Sequence, residues 1–289
     1  MKLIIFFIIL FIYREKINLQ EKTFNRVLEI DLIRGIAIIF MTFDHFMYDS
    51  GFLMRNIFLE YGGNNWTRSL ELFAYNYWTW DVRIIVRQFI VFLFLALTGI
   101  CCSFSKNNLK RGLMLLGVSL LLTLGTYIAG IIINDVNITI MFGVLHCISL
   151  ALIIISLLEL FIKNFKYNKY IYLVIGIIMM SFGIYFYYNY IFVSYEGENL
   201  FLLFIHILIG DKLAGSDCFP FLLYGGEIFI GVFLGKLLYK DKKSLFNFNY
   251  QNNVITFIGR HSLIFYFAHQ IIISGLFIII LLIMGFHLI

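Results

Sequence analysis

The run EIDLIRGIAIIFMTFDHFMYD, residues 29–49, concentrates the side chains best suited to chemistry. Steps of three and four link Asp31, Arg34, Ile38, Met41 or Thr42, His45 and Asp49 along one helical face. That face has a cation near its start and, at its far end, an imidazole with a carboxylate one turn on. The 11 residues from Arg34 to His45 rise about 16 Å in a helix. An Asp at i+4 can orient or charge-stabilise a histidine and make it a better base. The competing account is a helix that ends in the headgroup region, with Asp44, His45 and Asp49 satisfied by water.

Three further groups stand out. His146, His269 and Glu227 lie inside apolar runs, where an ionisable side chain is costly and usually faces a cavity or a partner. His269 could equally be satisfied by a hydrogen bond between helices. Arg83 and Arg87, four apart, share a helix face; they could hold an anionic acceptor or pair with Asp44 or Asp49. The cysteines at 101, 102, 147 and 218 show no metal-type spacing, and no metal site is expected.

The elements that position these residues follow from composition. Of 289 residues, 61% are hydrophobic and 13% charged, about half the charge of a soluble domain. That excludes a soluble enzyme, a disordered protein and a nucleic-acid reader. The single Pro and the scarcity of alternating segments argue against an outer-membrane barrel. An all-α, polytopic integral membrane bundle remains. Apolar segments at 32–49, 84–104, 109–133, 138–162, 170–193, 219–239 and 261–286 predict about seven core spans. Residues 1–25 read as an optional short membrane helix (1–13) and a basic linker, and 26–289 as one membrane domain. The stretch 200–210 reads as a half-helix or re-entrant element, and 244–258 as interfacial.

Lys and Arg divide 16 to 4 between alternate loops. By the positive-inside rule the core enters from the cytoplasm and its C-terminus lies outside. Asp31, Arg34, Arg260 and His261 then fall at cytoplasmic helix ends. Asp44, His45, Asp49, Arg83, Arg87, Asp135, Asp211 and Asp217 fall near outer ends.

The run RVLEIDLIRGIAIIFMTFDHFMYD resembles the start of the heparan-α-glucosaminide N-acetyltransferase catalytic-domain family. FGVLHCISL (142–150), SDCFPFLLYGGEIFIGVFLG (216–235) and FIGRHSLIFYFAHQ (257–270) continue the resemblance in order. It implies a multi-helix membrane acyltransferase. Lysosomal members move acetyl from cytosolic acetyl-CoA to a glucosamine amine across the membrane. Asp31, Arg34 and Gly35 match the family's Asp-x-x-Arg-Gly signature. His146, Asp217, Pro220, the group Gly259-Arg260-His261-Ser262 and His269 match positions of bacterial members. His45 stands where lysosomal members carry Asn, so that position either deprotonates or positions the acceptor. A second proline after Pro220 is absent, which leaves the loop geometry there open.

The resulting expectation is a membrane acyltransferase, in a bacterial plasma membrane, that moves an acetyl or other acyl group from cytoplasmic acyl-CoA to an extracytoplasmic amine or hydroxyl on a sugar or glycan. His45 is the first choice as base, supported by Asp49, with His146 and His269 next. Arg34 and Arg260 are candidates for the CoA phosphates, and Arg83, Arg87 and Asp217 for the acceptor. Its partners are membrane lipids, acyl-CoA and the acceptor, with homodimerisation left open. The alternatives are a proton-coupled transporter and a non-catalytic scaffold.

Overall fold

A computed structural model describes residues 27–55, 64–134, 138–188, 205, 208–209, 217–246 and 253–283. Asp135, Asp211, residues 1–13 and nearly all of 200–210 lie outside the described residues. The described elements are helical, in the order α1 (Leu28–Tyr48), α2 (Asn65–Trp78), α3 (Asp81–Ile100), α4 (Asn108–Ile133), α5 (Val144–Ile162), α6 (Asn168–Tyr188), α7 (Gly226–Leu238), α8 (Val254–Arg260) and α9 (Ser262–Ile283). A π-helical turn, Asp49–Leu53, extends α1, and another, Phe221–Gly225, leads into α7.

Six helices are long and apolar enough to cross a membrane: α3, α4, α5, α6, α7 with its π turn, and α9. The expected count of about seven included α1. At 21 residues α1 is long enough, about 31 Å, but it carries Glu29, Asp31, Arg34 and Asp44. Residues 65–78, expected as part of an outer loop, form α2. Asn64 caps it, its side chain accepting from the Thr67 amide at 3.0 Å. Polar Asn65, Ser69 and Asn76 line one side, exposed Trp66 and Phe73 a flank, and Thr67, Glu71 and Ala74 the buried face. Periodicity of this kind marks a helix lying along an interface rather than crossing it. Within 244–258, residues 254–260 form α8, which packs along α1.

The core gathers around α7, which packs between α3 and α6. Between helices surrounded by lipid there is little hydrophobic drive to associate, so close backbone approach matters most. Gly231 and Gly235, four apart, turn one small-residue ridge of α7 toward the Ala96 and Ile100 backbone of α3. Gly226 meets Gly176 of α6 in the same way. Leu95, Leu152, Ile155, Tyr172, Ile228 and Phe229 fill the interior between these helices. Outward-facing residues are apolar as well, such as Ile85 at 70% and Phe161 at 77% exposure, as a bundle solvated by hydrocarbon requires.

Candidate active site

Glycine sets the first requirement of the site. A Cβ on Gly35 of α1 would collide with the Ile255 carbonyl of α8, and one on Gly259 with the Asp31 carbonyl of α1. The signature Asp31-Leu32-Ile33-Arg34-Gly35 and the segment Ile255–Arg260 are therefore two halves of one backbone-to-backbone joint. Arg34 and Arg260 sit on the two helices of this joint. The Arg34 Nη2 donates to Cys101 Sγ at 2.7 Å, and the Arg260 guanidinium lies 5.6 Å from the Phe257 ring centroid.

Glu29 ties the same end of the bundle together. Its carboxylate accepts from the Tyr239 hydroxyl at 3.2 Å, the Ser244 hydroxyl at 2.6 Å and the Leu245 amide at 2.8 Å. Burial works against its charge, but these donors outweigh burial and hold its carboxyl below the ordinary range. Sequence reasoning passed over Glu29. The only signal was an acid at the second position of a buried helix end.

At the other end of α1 the histidines meet. The rings of His45 and His269 stand edge to face, centroids 4.8 Å apart. His45 Nδ1 lies 2.8 Å from the Met41 carbonyl, and His269 Nδ1 faces the Tyr266 carbonyl. A carbonyl can only accept, so each Nδ1 carries a proton, and in the neutral ring Nε2 then presents its lone pair. The His269 Nε2 is buried and makes no hydrogen bond among the described residues. Two rings, each with its proton on Nδ1, thus meet at the C-terminal end of α1.

Asp49 makes no hydrogen bond to His45 among the described residues, although its carboxylate lies within reach of the His45 charge. It keeps the helical register of α1, its amide donating to the His45 carbonyl, and its Oδ2 accepts from Gln270 Nε2 of α9 at 2.8 Å. The Met41 carbonyl orients His45 instead. Gln270 was missed, although His269-Gln270 is a conspicuous polar pair in an apolar run. Asp217 approaches from the irregular segment before the π turn that leads into α7. Its Oδ2 would lie 3.0 Å from a Cβ on Gly143, so a side chain there would crowd it. Burial pushes the Asp217 carboxyl up, and the charges of His45 and Arg87 pull it partly back. Contacts therefore join His45 to His269 and Asp49 to Gln270, with Asp217 within range of the His45 and Arg87 charges.

Two expected residues are engaged elsewhere. Arg83 forms a bidentate pair with Asp44, Nε to Oδ1 at 2.8 Å and Nη2 to Oδ2 at 2.6 Å. Its guanidinium also lies 3.4 Å from the Trp78 ring centroid, and Tyr77 donates to Asp44 at 3.1 Å. Of the two readings of Arg83, the structure adopts pairing. His146 uses both ring nitrogens. Its Nδ1 accepts from the Gly143 amide at 3.3 Å, which leaves Nε2–H facing Thr123 Oγ1 at 3.1 Å. Thr123 in turn donates to the Ile140 carbonyl at 2.8 Å, so His146 fastens the α4–α5 hairpin. Among the described residues no group of three or more His, Cys, Asp or Glu could hold a metal ion.

A helical membrane bundle with a paired-histidine centre at one end and a glycine-built joint at the other is the class of protein these features define. The family model described as heparan-alpha-glucosaminide N-acetyltransferase, catalytic, matches residues 26–271, and the chain belongs to that family. No curated protein and no solved structure matches the chain.

Proposed function

We propose that this chain moves an acetyl or related acyl group from cytoplasmic acyl-CoA to an amine or hydroxyl, on a sugar, at the outer side of the membrane. The observation that carries this is the His45–His269 pair, with both Nδ1 protons committed to backbone carbonyls and both Nε2 lone pairs left for chemistry. Membership of an acetyltransferase family supports the reaction class.

In this reading α1 is the seventh span and the conduit. Its Arg34 end faces the cytoplasm, with Arg34 and Arg260 offering guanidinium forks to the phosphates of the donor. The pantetheine arm runs along α1 for the roughly 16 Å that separate Arg34 from His45. The acceptor nitrogen or oxygen attacks the thioester carbonyl carbon while His45 Nε2 removes the acceptor proton. A C–N or C–O bond forms, the C–S bond breaks, and the CoA thiolate leaves. His269 Nε2 takes the proton from His45, and the thiolate recovers it, directly or through water. Asp217 balances the transient imidazolium charge.

The test is release of CoA and transfer of labelled acetyl from acetyl-CoA to amino sugars by purified protein in lipid nanodiscs. Release that needs acceptor and is lost in His45→Ala supports the reading. Full activity in both His45→Ala and His269→Ala overturns the histidine chemistry. Proton-coupled uptake into liposomes without acyl transfer would establish transport instead.

A further inference from the structure

We propose that Gln270 is a specificity-determining residue: its side-chain carbonyl receives a hydrogen bond from a second hydroxyl of the acceptor, one that is not acylated. The proposal rests on the acyl-transfer reading and narrows its acceptor to a molecule with at least two hydrogen-bond donors on one small frame.

Tyr266, His269, Gln270, Ile273 and Phe277 recur at steps of three and four and share one face of α9. That face packs on α1. Its Ile273 and Phe277 close against Met54 and Phe46 in an apolar cluster, while the residues before them meet polar partners. His269 stands 4.8 Å from the ring of His45, and Gln270 Nε2 donates to Asp49 Oδ2 at 2.8 Å. His45 and Asp49 are four residues apart, a rise of about 6 Å. Two successive side chains of α9 therefore engage a single turn of α1.

Each of these side chains uses one polar atom and leaves another empty. The His269 Nε2 and the Gln270 Oε1 are buried and make no hydrogen bond among the described residues. An ionised Asp49 only accepts, so Gln270 turns an N–H to it and keeps its carbonyl free. His269, with its proton on Nδ1, offers a lone pair at Nε2 in the neutral ring. Both empty atoms are thus acceptors. Thr42 and Ser50 of α1 do not fill them, since their hydroxyls donate to the Ile38 and Phe46 carbonyls at 2.8 and 2.7 Å. Buried acceptors without a donor are rare and costly, and two on successive residues call for a ligand that donates to both.

The two acceptors have unequal chemistry. An imidazole takes up a proton, so the group to be acylated belongs at the histidine pair. An amide carbonyl receives a hydrogen bond and removes no proton, so the hydroxyl that it holds stays intact. A simple amine or monohydric alcohol satisfies His269 and leaves the Gln270 Oε1 empty; a sugar with further hydroxyls satisfies both. Both atoms are sealed in this arrangement, so the ligand enters where the α1–α9 seam parts. A site built to bind a substrate hydroxyl discriminates against an analogue that lacks it, because the buried acceptor is then left unpaired.

Purified protein in lipid nanodiscs would be supplied with acetyl-CoA and glucosamine, or its 3-deoxy, 4-deoxy or 6-deoxy analogue. One deoxy sugar should lose at least about tenfold in kcat/KM against glucosamine. Gln270→Lys, whose ammonium still donates to Asp49 but cannot accept, should shrink that ratio to within about threefold, with the KM for acetyl-CoA held. Gln270→Met should do the same, and it carries the test if the lysine variant does not fold. Each ratio compares two sugars on one sample, so the folded fraction cancels and a merely structural Gln270 leaves it unmoved. Equal use of all three deoxy sugars and glucosamine overturns the proposal. So does a deoxy penalty that survives in both variants. No CoA release with any acceptor overturns the acyl-transfer reading instead. Saturation-transfer NMR of the same sugars without acetyl-CoA then still decides the role of Gln270: weaker contact for one deoxy sugar, and for glucosamine in Gln270→Lys, supports it, and equal signals overturn it.

Discussion

The imidazole of His45 meets that of His269 edge to face at 4.8 Å, and each ring is pinned through Nδ1 to a carbonyl of its own helix. Neither ring can rotate away without losing that bond, so the pair keeps its edge-to-face geometry. The pair joins α1 to α9 at the point where the apolar contacts of those helices give way to polar ones.

Residues that act as a unit lose function together. His45→Ala and His269→Ala should each lower acyl transfer by about 10²-fold or more, and the double variant should be little worse than either alone. Labelled-acetyl transfer at saturating acetyl-CoA measures this. A double variant that multiplies the two losses would show the rings acting independently.

His146→Ala should behave differently. It strands the buried Gly143 amide and removes the donor to Thr123, whose hydroxyl keeps its bond to the Ile140 carbonyl, and so costs about 1–3 kcal/mol of stability. The melting temperature of detergent-solubilised protein should fall while residual activity, per folded molecule, stays near that of the parent.

Asp44 and Arg83 form a buried bidentate pair, their side chains 15% and 7% exposed. Removing one partner leaves an uncompensated charge, so Asp44→Asn or Arg83→Gln should each destabilise by about 3–5 kcal/mol. Replacing both should cost less than the sum of the two. A double-mutant cycle on thermal or denaturant unfolding gives the coupling directly, and strict additivity would mean that the pair contributes nothing.

Glu29 gives a pH dependence with a definite sign. Its carboxyl is held below the ordinary value of 4.5, so the stability it contributes is complete above that value and drains away as pH falls through the lowered one. The Glu29→Gln variant should be less stable than the parent at neutral pH, and the gap should close on acidification. Melting curves collected from pH 7 to pH 3 test this; a gap that widens in acid would reverse the assignment.

Much of the active face of α1 was readable because its side chains recur at helical spacing: Asp31, Arg34, His45 and Asp49 fall where the period puts them. What the period could not show was who meets whom. Nothing local indicates that Asp49 accepts from Gln270, because that partner lies 221 residues further along the chain. α2 escaped notice for a related reason. Its buried face is Thr67, Glu71 and Ala74, two of them polar, so the usual apolar stripe is absent. The seventh span was inferred from hydropathy, but the charges that make α1 chemically interesting also set it apart from the six more apolar helices. The glycines were legible as letters and not as a joint, since the carbonyls they admit belong to a distant segment.

That joint has a mechanical meaning. Where Gly35 and Gly259 bring two backbones together, no compliant side chain lies between them to absorb sliding, and α1 and α8 must travel as one stiff strut. α9 is different. It leaves the strut through the single residue His261, whose backbone (φ −107°, ψ 26°) breaks the helical course, and it meets α1 through stacked Phe46 and Phe277, the His45–His269 rings and one hydrogen bond from Gln270 to Asp49. Flat rings glide where interlocked main chains cannot. Any widening or narrowing of the gap between His45 and His269 is therefore a swing of α9 on its pivot, with the strut as the fixed frame.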